Sequence, residues 1–149
     1  MNEVCQNAKD FVSEILTEMK FDVKVSDEWT DEGCVLNFEG DDSLFLLSEN
    51  GEMLDALETL LFQIYGKQLD REHRFICDAD GFRNTRKAEL QAMARFAAQN
   101  VRKNGLPFTF GVLNSTERRV IHLTLQTEED LFSESVGDGR DRRLQVRLK

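Results

Sequence analysis

Apolar positions along the chain switch between helical and alternating periods, and each switch marks a new element. From Asn2 to Lys20, Ala8, Phe11, Val12, Ile15, Leu16 and Met19 recur at helical spacing, which predicts an amphipathic helix. Phe21 to Ser26 then alternates apolar and polar residues as a half-buried strand does, and Cys34 to Phe38 gives a second strand after a polar turn, Asp27 to Gly33. Asp41-Asp42-Ser43 supplies capping chemistry for the short apolar run Leu44 to Leu47, which Ser48-Glu49-Asn50-Gly51 interrupts. Met53, Leu54, Leu57, Leu60, Leu61 and Ile64 form the stripe of a further helix that Gly66 can end, and His73 to Cys77 reads as a strand.

A short join, Asp78-Ala79-Asp80-Gly81, precedes a long helical pattern from Phe82 to about Lys103, for which Asp80 is the candidate cap. Expected next are a strand over Pro107 to Val112, a helix over Ser115 to Leu125, a strand over Leu131 to Ser135, and a last strand, Arg143 to Leu148, after the turn Gly137-Asp138-Gly139. Asn114 and Glu117 have the spacing of a capping box. The expected fold class is α/β in the α+β sense, built of two small modules over residues 1–78 and 79–149.

With 149 residues, 40% hydrophobic content and a single proline, the composition favours compact folding over disorder. No apolar run approaches the roughly 18 residues that read as a membrane span, and the N-terminus lacks a signal-peptide pattern, so a cytoplasmic protein with no membrane insertion is expected. Cys5, Cys34 and Cys77 are odd in number and far apart, and are expected to be reduced, buried thiols.

The net charge of −9 looks wrong for a polyanion binder until it is divided along the chain. Residues 1–70 hold 4 lysines, no arginine and 17 carboxylates, a net −13; residues 71–149 hold 15 basic against 11 acidic side chains, a net +4. A polyanion feels the local field within a Debye length of about 10 Å, so phosphate contacts are expected in the C-terminal half. There, Glu117-Arg118-Arg119-Val120-Ile121-His122 places Arg118, Arg119 and His122 on one arc of a helix while apolar residues take the rest. A guanidinium offers forked donors to phosphate and a flat face to a base, and an adjacent imidazole can stack or donate. Single-stranded nucleic acid is the natural client, with RNA and single-stranded DNA both open.

Supporting positive charge is expected from Arg83, Arg86 and Lys87 and from Arg142 and Arg143. The first three occupy the first turn of a helix, where cations oppose the macrodipole, so they imply either acidic neighbours or an anionic ligand. Phe75, Phe82, Phe96, Phe108, Phe110 and Phe132 are candidates for base stacking, although their periodic placement assigns most of them to the core. Trp29, placed in a polar turn, is either a packed turn residue or a contact point for a partner.

The order helix, strand, strand, helix, turn, helix, strand over residues 2–78 resembles a type II KH domain. The string Asn114 to His122, followed by Ser135-Val136-Gly137-Asp138-Gly139 and Arg142-Arg143, resembles the R-three-H module, named for its Arg-x-x-x-His motif. Together with Asp78 to Arg83 and Arg86-Lys87 at the junction, the pairing is similar to the bacterial Jag, SpoIIIJ-associated or KhpB-like, family. That resemblance implies a cytoplasmic RNA-binding protein linked to regulation of cell elongation and division. The partners it implies are single-stranded RNA and a small single-KH protein or a second copy of the chain. Longer members carry an N-terminal Jag domain and linker, so a short form lacking them is expected. The position matching a KH Gly-x-x-Gly loop is Ser48-Glu49-Asn50-Gly51, where the first glycine is lost and Glu49 sets a negative charge. A structural or protein-docking role is therefore expected for the first module, and an adaptor with weak nucleic-acid binding is the alternative function.

Catalysis is not expected. Asp41, Asp42, Asp78 and Asp80 could gather a divalent ion, but capping is the simpler use for them, and no nucleophile and base pairing, phosphate-cradling loop or His-rich motif is present. No cofactor and no metal site are expected.

Overall fold

The computed structural model describes residues 2–149, which form two compact units. The first ends at Arg83 and the second is Asn84–Lys149, so the division falls in the first turn of the long helix.

In the first unit, α1 (Glu3–Glu18) starts where the Asn2 side chain accepts the Cys5 amide and buries Cys5, Ala8, Val12 and Leu16. Strands β1 (Lys24–Thr30) and β2 (Gly33–Glu39) pair antiparallel, and β2 pairs parallel with β3 (Arg74–Ala79), giving the order β1-β2-β3. Between β2 and β3 lies α2 (Ser43–Tyr65), helical on either side of a break at Ser48 to Gly51, followed by a 3-10 turn, Gly66–Gln68. Leu36 and Phe38 of β2, Phe75 of β3 and Leu46, Leu54, Leu57 and Leu61 of α2 share one core with α1.

Several sequence expectations are corrected here. The polar stretch Asp27 to Thr30 belongs to β1 rather than to a turn, which shrinks to Asp31 and Glu32. Trp29 therefore stands on a strand, its ring 4.8 Å from that of His73, and the backbone ladder holds it where side-chain polarity suggested a loop. Cys5 and Cys34 are joined by a disulfide and Cys77 is left as a free thiol, because packing α1 on the sheet brings together two residues that are 29 apart in sequence. Burial pushes the Cys77 thiol well above its ordinary pKa, with Glu58 adding to the shift. Asp42 does not cap α2; its carboxylate accepts the Asp22 amide at 2.6 Å. Asp80 accepts the Ser43 hydroxyl, and it is Asp78 that accepts the Arg83 amide in the first turn of α3.

In the second unit, α3 (Phe82–Asn104) and α4 (Ser115–Leu125) pack on a sheet of order β4-β6-β5, formed by Phe108–Thr109, Arg143–Leu148 and Leu131–Val136 with antiparallel pairing throughout. Leu90, Ala94, Ala97, Ala98 and Val101 of α3 meet Ile121 and Leu125 of α4 and Leu131, Leu144 and Val146 of the sheet. The small α3 residues let the helix come close. β4 is shorter than the expected strand, since its pairing with β6 is confined to Phe108 and Thr109.

The break in α2 sets Glu49, Asn50 and Gly51 in left-handed conformation, with φ of 54°, 56° and 79°. Gly51 is buried, and a Cβ there would sit 2.5 Å from the Phe82 ring. Gly51→Ala should therefore cost about 1–3 kcal/mol in denaturant unfolding. Gly105→Ala is the control, because Gly105 shares the positive φ (72°) but has nothing within 4 Å of its Cβ position. Equal losses in the two variants would show that the ring contact contributes nothing.

Candidate nucleic-acid interface

Helix α4 begins with a complete capping box. The Asn114 side chain accepts the Glu117 amide at 2.8 Å, and the Glu117 carboxylate accepts the Asn114 amide at 3.2 Å. Ile121 and Leu125 point into the core on the same helix, which turns Arg118, Arg119 and His122 away from it. The second oxygen of Glu117 accepts Nε of Arg86 at 2.6 Å, so the carboxylate that caps α4 also ties it to α3. Partial burial works against the Arg86 charge, but its hydrogen bonds to Glu117 and Glu89 outweigh it and hold the guanidinium pKa above its ordinary value.

Arg118, Arg119 and His122 line a groove of about 560 Å³, together with Glu134 and Ser135 of β5 and with Arg142. Two of these side chains are held in place. Nδ1 of His122 lies 2.6 Å from the Oγ of Ser133, a buried hydroxyl on β5, and this contact leaves Nε2 as the ring nitrogen for a ligand. Arg118 donates one guanidinium nitrogen to the Leu113 carbonyl at 2.6 Å, and its fork keeps further donors. Arg142 donates to the Gly137 carbonyl at 3.0 Å, across the turn that Gly137 and the 3-10 segment Gly139–Asp141 make. Three arginines and an imidazole against one carboxylate make the groove cationic.

The other expected positions stand elsewhere. Arg83 lies in the first unit, donating to Asp55 at 2.8 Å, to Glu58 at 2.9 Å and to the Cys77 carbonyl. Of the two readings for cations at this helix start, acidic neighbours are the one present for Arg83 and Arg86. Lys87 is exposed on α3, and Arg143 donates to the carbonyls of Arg140 and Arg142 instead of lining the groove. Glu49 and Asn50 of the α2 break are exposed. Sequence reasoning missed Ser133 and the double duty of Glu117. The alternation of β5, which buries Leu131 and Ser133, was the available signal for Ser133. Among the described residues, no cluster of three or more His, Cys, Asp or Glu side chains is placed to hold a metal ion, and no helix is long and apolar enough to cross a membrane.

Residues 88–148 match the R-three-H domain family, so this stretch of the second unit is an R-three-H domain by sequence as well as by motif. The chain is similar to proteins named RNA-binding protein KhpB. That of Clostridium symbiosum is 28% identical over 144 residues, covering 95% of this chain and 65% of its own length. That of Bacillus subtilis is 29% identical over 112 residues, covering 74% of this chain and 54% of its own length. That of Lactiplantibacillus plantarum is 25% identical over 133 residues, covering 89% of this chain and 40% of its own length. The chain thus spans less than two thirds of the length of each of these relatives.

The two jobs of Glu117 separate by substitution. Glu117→Gln keeps a capping acceptor but leaves Arg86 without a charged partner at that position, whereas Glu117→Ala removes both. Thermal unfolding should show Ala costing about 2–4 kcal/mol and Gln clearly less. A glutamine variant as unstable as the alanine variant would mean that the ion pair, and not the cap, carries the stabilisation.

Proposed function

We propose that this chain, with its R-three-H domain and its similarity to KhpB proteins, is a non-catalytic binder of single-stranded RNA acting in the cytoplasm. The observation that carries this reading is the groove on the second unit, where Arg118, Arg119, Arg142 and a buttressed His122 converge. Guanidinium groups neutralise phosphates and stack on bases, and an imidazole fixed through Nδ1 presents Nε2 at a constant position. Single-stranded RNA supplies both the phosphates and the unstacked bases that such a surface engages. Lys87 and Arg143 contribute field at longer range, whereas carboxylates neutralise Arg83 and Arg86.

The first unit is read as KH-like, with the α2 break as its loop. Three successive left-handed residues turn the backbone sharply there, but Glu49 opposes a phosphate at its exposed tip. Leu44, Phe45, Phe62 and Ile64 of α2 are exposed, which favours a protein-docking role for this unit, toward a small KH protein or a second copy of the chain. A role in cell elongation and division is the cellular setting that the family resemblance implies.

Arg118→Ala combined with His122→Ala should weaken retention of single-stranded RNA by an order of magnitude or more, about 1–3 kcal/mol, with little change in melting temperature. Binding should also fall steeply as salt rises, since neutralised phosphates release counterions. RNA retention by the double variant equal to wild type would sink the assignment of the groove.

Glu49→Lys tests the first unit. If the loop is shaped for phosphate but blocked by charge, filter binding should report a several-fold gain in RNA affinity. A sharp loss on Glu49→Lys would instead make the acidic loop part of the RNA site.

A further inference from the structure

The sheet of the second unit has two faces with different fates. Leu131, Ser133, Leu144 and Val146 point toward α3 and α4 and are buried. Strand alternation sends Phe132 and Glu134 of β5, Gln145 and Arg147 of β6 and Thr109 of β4 to the opposite face, and the ladder sets them in register, with Phe132 opposite Arg147 and Gln145 opposite both Glu134 and Thr109. Among the described residues, no helix of this unit covers that face. Phe132 keeps 39% of its surface exposed, an unusual state for a phenylalanine on a strand of a packed sheet.

The Arg147 guanidinium carbon sits over the Phe132 ring, 4.7 Å from its centroid. The Glu134 carboxylate approaches Nε of Arg147 only to 4.0 Å, so it does not absorb the guanidinium donors as Asp55 and Glu58 absorb those of Arg83. Gln145 donates its amide nitrogen to the Thr109 hydroxyl at 3.2 Å, which fixes the amide plane and keeps its oxygen available as an acceptor. The face therefore offers an aromatic ring with a flat cation layered on it, and an oriented amide beside them. It adjoins the groove through the chain itself, because Arg142 lines the groove immediately before β6 begins at Arg143.

We infer that this open sheet face is a second RNA contact, where a base leaving the groove stacks on the Phe132 and Arg147 pair. The inference rests on the RNA-binding reading of the groove and extends it to a nucleotide further along the strand. A stacking platform takes any base, because every base has a flat π face, so this site adds affinity and length dependence with little sequence preference. The occupant is a nucleic acid rather than a protein helix, because the face pairs a single aromatic with a cation and polar side chains in place of the contiguous apolar area that a helix would bury.

The test compares two probes on the full chain: a single-stranded oligouridine of about 12 nucleotides, long enough to leave the groove, and uridine monophosphate, which can occupy the groove alone. Phe132→Ala and Arg147→Ala should each weaken the oligomer by about tenfold and leave the monophosphate unchanged. Phe132→Trp should retain or improve oligomer binding, and Phe132→Leu, which keeps apolar cover without a π face, should behave like Ala. Oligomer affinity unchanged in Phe132→Ala while Arg118→Ala still weakens it would overturn the sheet site and leave the groove standing. Full restoration by Phe132→Leu would assign the loss to packing and overturn stacking. Failure of the wild-type chain to retain the oligomer would overturn both readings together.

Discussion

The second unit depends on one carboxylate. Glu117 sits at the third position of α4, nearly buried, with one oxygen on the Asn114 amide and the other on Arg86 of α3. The first bond fixes where α4 starts and the second fixes its rotation against α3. Once that rotation is set, Ile121 and Leu125 must enter the core, and Arg118, Arg119 and His122 must leave it. A helix as short as α4 has little intrinsic stability in water, so the cap and the packed stripe together, rather than propensity, hold the cationic arc in place. The groove is a consequence of a structural ion pair that does not itself line it.

The arginines sort themselves by what surrounds them, and that sorting was only half legible in the sequence. The helix bounds of α4 and the bounds of β6, the capping box and the arc of Arg118, Arg119 and His122 all follow from local period and spacing, and all appear in the structure at those residues. Whether a given arginine faces a ligand is a matter of which carboxylates approach from elsewhere in the chain. Glu58 lies 25 residues from Arg83, and Glu117 lies 31 from Arg86. The macrodipole argument raised the right question for both, and distance along the chain hid the answer. The disulfide escaped sequence reasoning for the same reason, as did the Ser133 hydroxyl that steadies His122. Trp29 shows the converse error: its polar neighbours suggested a turn, but a continuous backbone ladder from Lys24 to Thr30 overrides side-chain polarity.

Charge division within the chain gives these placements a common physical sense. The first unit carries the acidic surplus and holds Arg83 internally, where burial opposes the guanidinium charge but Glu58 and Asp55 more than restore it. The second unit carries the basic surplus and leaves Arg118 and Arg142 of the groove bonded to backbone carbonyls. A carbonyl orients a guanidinium without neutralising it, so both are positioned and remain cationic toward an anion. Arg102 is the counterexample on the same unit: three hydrogen bonds to Glu128 and Asp130 make it a staple between α3 and the start of β5. Counting basic residues would rank Arg102 with Arg118, whereas their partners separate a structural cation from a binding one. The same criterion sets Arg147 apart, since it is layered on a ring and only loosely approached by Glu134, and so keeps most of its donors for a phosphate or a base.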